Sequence, residues 1–125
     1  MRASSGRLFS GLDRKILEMM AKAGSIQFRG EPFPLKSGKE SHFYVSLREE
    51  LGLNPPFLSL VGKKLAEVIW NITSKSERRP CLIGVPMAGD ILAQACATEA
   101  HHLLRAGSNH PEISFLRMRS RVKAH

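Results

Sequence analysis

CLIGVPMAGDILAQACATEAHHLLRAGSNHPEISFLRM, residues 81–118, is the stretch that decides the fold. CLIGV, residues 81–85, is apolar without alternation, the pattern of a strand covered on both faces. GVPMAGD then turns into a helix whose Ile91, Leu92, Ala95, Cys96 and Leu103 cluster before Gly107. A second strand, residues 113–118, follows about thirty residues after the first begins, which makes a βαβ unit with parallel pairing and a right-handed crossover. The fold class is therefore α/β. In such sheets ligands bind beyond the carboxyl ends of the strands, where helix amino ends supply unpaired amides. Here that place is the GVPMAGD turn, where Gly84 and Gly89 permit a close backbone approach.

Upstream, Asn54, Pro55 and Pro56 read as a helix start, since asparagine caps free amides and proline fits the first turn. Phe57, Val61, Leu65, Val68, Ile69 and Ile72 then share a face opposite Ser59, Lys63, Glu67 and Asn71. SKSERRP, residues 74–80, is a polar connection to the βαβ unit. Near the start, Phe9, Leu12, Ile16, Met19, Met20 and Ala23 form one helical stripe ending at Gly24. A short apolar segment, residues 26–28, leads to Gly30 and Pro32. FPLKSGKESHFYVSLR, residues 33–48, follows and reads as strand, turn, strand. Phe43, Val45 and Leu47 alternate there with Tyr44, Ser46 and Arg48, as in a half-buried strand. Lys36 and Lys39 stand on the turn beside Gly38, a combination that suits an anionic ligand and equally a solvated edge guarded by lysines.

A chain of 125 residues is one domain, residues 1–125, with room for a core. Its 42% hydrophobic and 24% charged residues argue against disorder. No apolar run approaches the roughly 20 residues of a bilayer span, so no membrane role is expected. The start, MRASSGRLFSGLDRK, lacks a secretory signal's apolar core; its first twelve residues hold arginine and serine but no acid, as mitochondrial presequences do, and the cytoplasm is the expected compartment. Cys81 and Cys96 have no metal-ligand spacing and read as buried thiols, and no metal-ligating residues are assigned. A net charge of +8 and a pI near 10.1 ask for an acidic partner. Arg117, Arg119, Arg121, Lys123 and His125 crowd residues 115–125 without an acid, a cluster that serves a nucleic acid or a polyphosphate equally well.

FPLKSGKESHFYVSLR resembles the amino-terminal signature of orotate phosphoribosyltransferases, in which a phenylalanine, a spacer, LKSG, a basic residue, a serine and an aromatic pair follow in that order. FLRMRSRVKAH, residues 115–125, resembles the start of that family's flexible catalytic loop: Arg119, Lys123 and His125 reproduce an arginine, a lysine four positions on and a histidine or tyrosine two further. The resemblance covers most of residues 9–125. It implies a phosphoribosyltransferase-type, Rossmann-like parallel sheet with an amino-terminal helix and strand hood. It also implies transfer of phosphoribosyl from phosphoribosyl diphosphate to orotate with Mg2+ present, giving orotidine 5′-monophosphate and diphosphate. A homodimer is implied as well, because the family's loop closes over the neighbouring subunit. By the same resemblance Lys36 contacts substrate and diphosphate, backbone groups around Tyr44 and Val45 meet the orotate edge with Phe43 packing nearby, and Met87 and Ala88 line the far side of the diphosphate. Arg119, Lys123 and His125 take the catalytic role, since cations brought over a departing diphosphate in a water-poor site stabilise the charge that grows there.

The chain also departs from the family. Ser120 stands where many members have a second lysine, and Met87 and Ala88 stand where bacterial members often have tyrosine and lysine. The family's later strand, ending in adjacent carboxylates and running into a threonine- and glycine-containing loop for the ribose phosphate, has no counterpart. The adjacent acids Glu49 and Glu50 precede Leu51, Gly52 and Leu53, and the aspartates are Asp13 and Asp90. The reading is thus of an amino-terminal portion, truncated on its carboxyl side and poorly active alone. Two competing readings are a catalytically dead paralogue and a basic α/β module that binds RNA or DNA through its tail.

Overall fold

A computed structural model describes residues 6, 8–47, 54–74, 78–86 and 88–118. The elements in order are α1 (Gly11–Lys22), β1 (Ile26–Pro34), β2 (Glu40–Val45), α2 (Pro55–Thr73), β3 (Cys81–Gly84), α3 (Ala88–Arg105) and β4 (Ser114–Arg117). They fall into two compact units, residues 1–54 and residues 55–125. No described helix is long and apolar enough to cross a membrane.

In the first unit, Ser10 caps α1. Its hydroxyl accepts from the Asp13 amide at 3.1 Å, while the Asp13 carboxylate accepts from the Ser10 amide at 2.9 Å. The helix ends as predicted at Gly24, whose φ of +65° opens the chain into β1. β1 pairs antiparallel with β2, Ile26 opposite Val45 and Phe28 opposite Phe43. The register then shifts, so that Phe33 faces Ser41 and residues 29–32 stand against His42 alone. The first strand of the hairpin therefore reaches back to Ile26, because this bulge joins the two apolar segments that Gly30 and Pro32 separate in the sequence. The expected half-burial is not found: Phe28 and Phe43, cross-strand neighbours, are 80% and 57% exposed.

The second unit is built on the βαβ motif. β3 and β4 are parallel, with Cys81 opposite Ser114 and Gly84 opposite Arg117, as the spacing predicts. α2 packs against α3, and the core consists of Ala66, Trp70, Cys96, Ala100 and Ile113. The buried residues of α2 are Phe57, which belongs to the predicted apolar face, and the line Gly62, Ala66 and Trp70, which does not, while Ile72 of the predicted face is 77% exposed. The cause is close approach: a Cβ on Gly62 would lie 2.6 Å from the Ala95 carbonyl oxygen, so the helices meet along their small residues. Leu65 and Ile69 pack at the flank of that line. Glu99 is buried at the same junction, its Oε2 3.9 Å from Lys63 Nζ and 3.8 Å from His102 Nδ1.

Two further expectations change. β3 is not covered on both faces: Leu82 packs on the core, while Ile83 points away and is exposed, as is its cross-strand neighbour Leu116. Cys81 lies on that open face and is exposed, whereas Cys96 is buried as predicted and its thiol is pushed up to about 11 by loss of hydration.

Candidate functional site

The residues singled out by sequence occupy two places. In the first unit, Lys36 sits on the tight turn between β1 and β2. The Leu35 amide donates to the Lys39 carbonyl at 2.7 Å and the Gly38 amide to the Leu35 carbonyl at 2.9 Å, and Gly38 takes a φ of +79° to close the loop. Lys36 and Lys39 are exposed, and among the described residues neither has an ion-pair partner. Phe43, Tyr44 and Val45 follow on β2. Phe43 leans on Phe28 with ring centroids 6.4 Å apart, and Tyr44 meets Phe33 edge-on at 5.7 Å. Arg29 lies over the Phe33 ring, 5.3 Å from its centroid. The Ser41 hydroxyl donates to the Phe43 carbonyl at 2.8 Å and accepts from its amide at 3.2 Å, fixing the start of β2. The arrangement is a cationic turn set beside an aromatic strand, able to hold an anion next to a flat apolar group.

In the second unit, the GVPMAGD turn runs from the end of β3 into α3, and Ala88 is the first helical residue. Met87, Arg119, Lys123 and His125 lie outside the described residues. Two side chains not predicted as site residues meet at this turn. The Asp90 carboxylate, in the first turn of α3, stands 3.7 Å from Arg117 Nε at the end of β4. A Cβ on Gly84 would lie 2.6 Å from Asp90 Cα and 2.7 Å from its Oδ1, so Gly84 is the residue that lets the carboxylate in. The sequence signal was available: Asp90 is the lone acid of residues 80–98, in a strand-to-helix turn.

A groove of about 510 Å³ in this unit lies toward the amino ends of the strands. Its polar wall is Arg79, His101 and Glu112, with the Glu112 carboxylate 3.9 Å from Arg79 Nη1 and 3.8 Å from His101 Nδ1. It is therefore separate from the turn where an α/β sheet takes its ligand. Among the described residues no group of three or more His, Cys, Asp or Glu side chains could hold a metal ion.

No protein-family model matches the chain, and no curated protein does. Solved structures do. The chain is similar to the Mycobacterium tuberculosis H37Rv orotate phosphoribosyltransferase in complex with Fe(III) dicitrate, at 20% identity and a TM-score of 0.46, over 89% of this chain and 53% of that one. It is similar to the same enzyme in complex with inorganic phosphate, at 18% and 0.49, over 86% and 55%. It is also similar to the Francisella tularensis orotate phosphoribosyltransferase, at 22% and 0.53, over 82% and 46%. The last of these carries the fold: the chain is α/β of the phosphoribosyltransferase type. It spans about half the length of these enzymes.

Proposed function

We propose that the chain belongs to an orotate-type phosphoribosyltransferase and binds phosphoribosyl diphosphate and orotate. The observation that carries this reading is the turn bearing Lys36 and Lys39: two exposed ammonium groups on a loop closed by Gly38, directly before the aromatic strand. The likeness in fold to a solved orotate phosphoribosyltransferase supports it.

In the proposed reaction orotate N1 releases its proton to solvent and attacks the anomeric carbon of phosphoribosyl diphosphate, the bond to the diphosphate oxygen breaks, and diphosphate departs with the electron pair. Lys36 contacts the diphosphate, and the backbone around Tyr44 and Val45 meets the flat edge of orotate with Phe43 beside it. Met87 and Ala88 flank the leaving group. Arg119, Lys123 and His125 add the positive charge that a departing diphosphate draws on. Magnesium, for which the described residues offer no cage, enters with the diphosphate as part of the substrate. A homodimer, with the closing residues of one copy serving the other, and a cytoplasmic location belong to the same proposal.

Isothermal titration with phosphoribosyl diphosphate and with orotate, at about 0.15 M salt, tests the reading. Saturable binding of phosphoribosyl diphosphate, weakened about tenfold or more by Lys36→Ala, is the expected result. No saturable heat, together with binding to random duplexes that falls steeply with salt, would give the chain to the nucleic-acid module instead.

A further inference from the structure

Among the described residues, Asp90 Oδ1 is a buried side-chain oxygen with no hydrogen-bond partner. Such an atom asks for a reason. The side chain as a whole is 13% exposed, and its Oδ1 lies against Gly84, where any Cβ would come within 2.7 Å of it. The carboxylate is therefore wedged between the end of β3 and the first turn of α3, with little room to turn. A charge so placed requires a counter-charge, and the one at hand is Arg117, whose Nε stands 3.7 Å from Oδ2.

Arg117 itself is open. Its side chain is 75% exposed, it is the last residue of β4, and it pairs across the sheet with Gly84. The guanidinium thus meets Asp90 through its Nε edge and keeps its outer N–H groups for another partner, at the end of the sheet where α/β proteins take ligands. A planar fork of donors held by one edge is suited to an oxyanion.

We infer that Arg117 binds an anionic phosphate group of the ligand and that Asp90 is the positioning residue that aims it. The inference rests on the function proposed above and adds to it a cation, and the partner that orients that cation, outside the residues the family resemblance points to.

The sign of one substitution separates aiming from bulk charge. Asp90→Asn removes a negative charge near the ligand, so electrostatics alone predicts tighter binding of phosphoribosyl diphosphate. If Asp90 aims Arg117, the same change weakens binding, by about threefold or more in titration calorimetry, and Arg117→Gln weakens it about tenfold. In the Arg117→Gln background, Asp90→Asn then brings no further loss. That double variant has no unpaired charge at the wedge and so controls for misfolding, and circular dichroism of each variant confirms the helical signal. Wild-type binding that Asp90→Asn leaves unchanged or tightens, or that Arg117→Gln leaves unchanged, overturns this inference and spares the proposed function. A wild-type chain that binds no phosphoribosyl diphosphate overturns both.

Discussion

The indole Nε1 of Trp70 donates to the carbonyl of Pro111 at 2.9 Å, tying the end of α2 to the segment that enters β4. The imidazole of His110 stacks on the same indole, with centroids 4.4 Å apart and planes 12° from parallel. Trp70 is the single tryptophan of the chain and is 5% exposed. Its emission is expected to be blue-shifted in the folded protein and to move red as residues 55–118 unfold. Trp70→Phe leaves the Pro111 carbonyl without its donor and is expected to cost about 1–3 kcal/mol, read by denaturant unfolding followed by circular dichroism.

Gly62 and Gly84 are small for steric reasons. A Cβ at position 62 would meet the Ala95 carbonyl carbon and oxygen at 2.8 and 2.6 Å, and one at 84 would meet backbone atoms of Asp90 at 2.6 and 2.8 Å. Backbone cannot step aside as a flexible side chain can, so Gly62→Ala and Gly84→Ala are each expected to destabilise by about 1–3 kcal/mol. A denaturation midpoint equal to wild type in either variant would show the contact to be looser than described.

Alkali should act through Cys96. Its folded thiol is raised to about 11 from an ordinary 9.0 by burial, so the unfolded chain releases a proton at lower pH than the folded one. The contribution to stability is full below about pH 9 and is lost as pH rises toward 11, at a limiting slope of about 1.4 kcal/mol per pH unit. Thermal midpoints measured from pH 8 to 11 are expected to fall over that window, and less so in Cys96→Ala. In the folded protein near neutral pH, iodoacetamide is expected to label exposed Cys81 and spare Cys96, with mass spectrometry as the readout.

For the proposed transfer, Lys36→Ala and Lys123→Ala introduced into the complete protein are each expected to lower the rate of orotidine 5′-monophosphate formation by about two orders of magnitude or more, since each removes a charge that the leaving diphosphate draws on. Near-normal rates in both variants would remove these two residues from the mechanism.

Much of the fold was legible because periodicity and punctuation carry it. The apolar run at residues 81–85, the turn after it and the second strand at the right distance gave the parallel βαβ unit, and Gly24 marked the end of α1. What was not legible depends on neighbours distant in the chain. Phe57 of α2 is buried as its apolar pattern suggests, but the line Gly62, Ala66 and Trp70 is buried because Ala95 and its helix approach closely there, and no hydrophobicity pattern within α2 records that approach. The open face of Ile83 and Leu116 likewise reflects which layers cover the strands, a fact external to their own residues. At the candidate site, Lys36 and the β2 aromatics were found by motif and stand where a turn and strand were expected. Asp90 was passed over because its interest comes from Gly84 and Arg117, which reach it only once β3 and β4 pair.

Amide hydrogen exchange with saturating phosphoribosyl diphosphate tests the central claim most directly, because it reads the turn at residues 35–39 and the strand-to-helix turn at residues 84–90 in one experiment. Slowed exchange in both segments, with α1 unchanged, is the predicted result. Exchange that the ligand alters in neither segment, or only in the region of Arg79, His101 and Glu112, would contradict it.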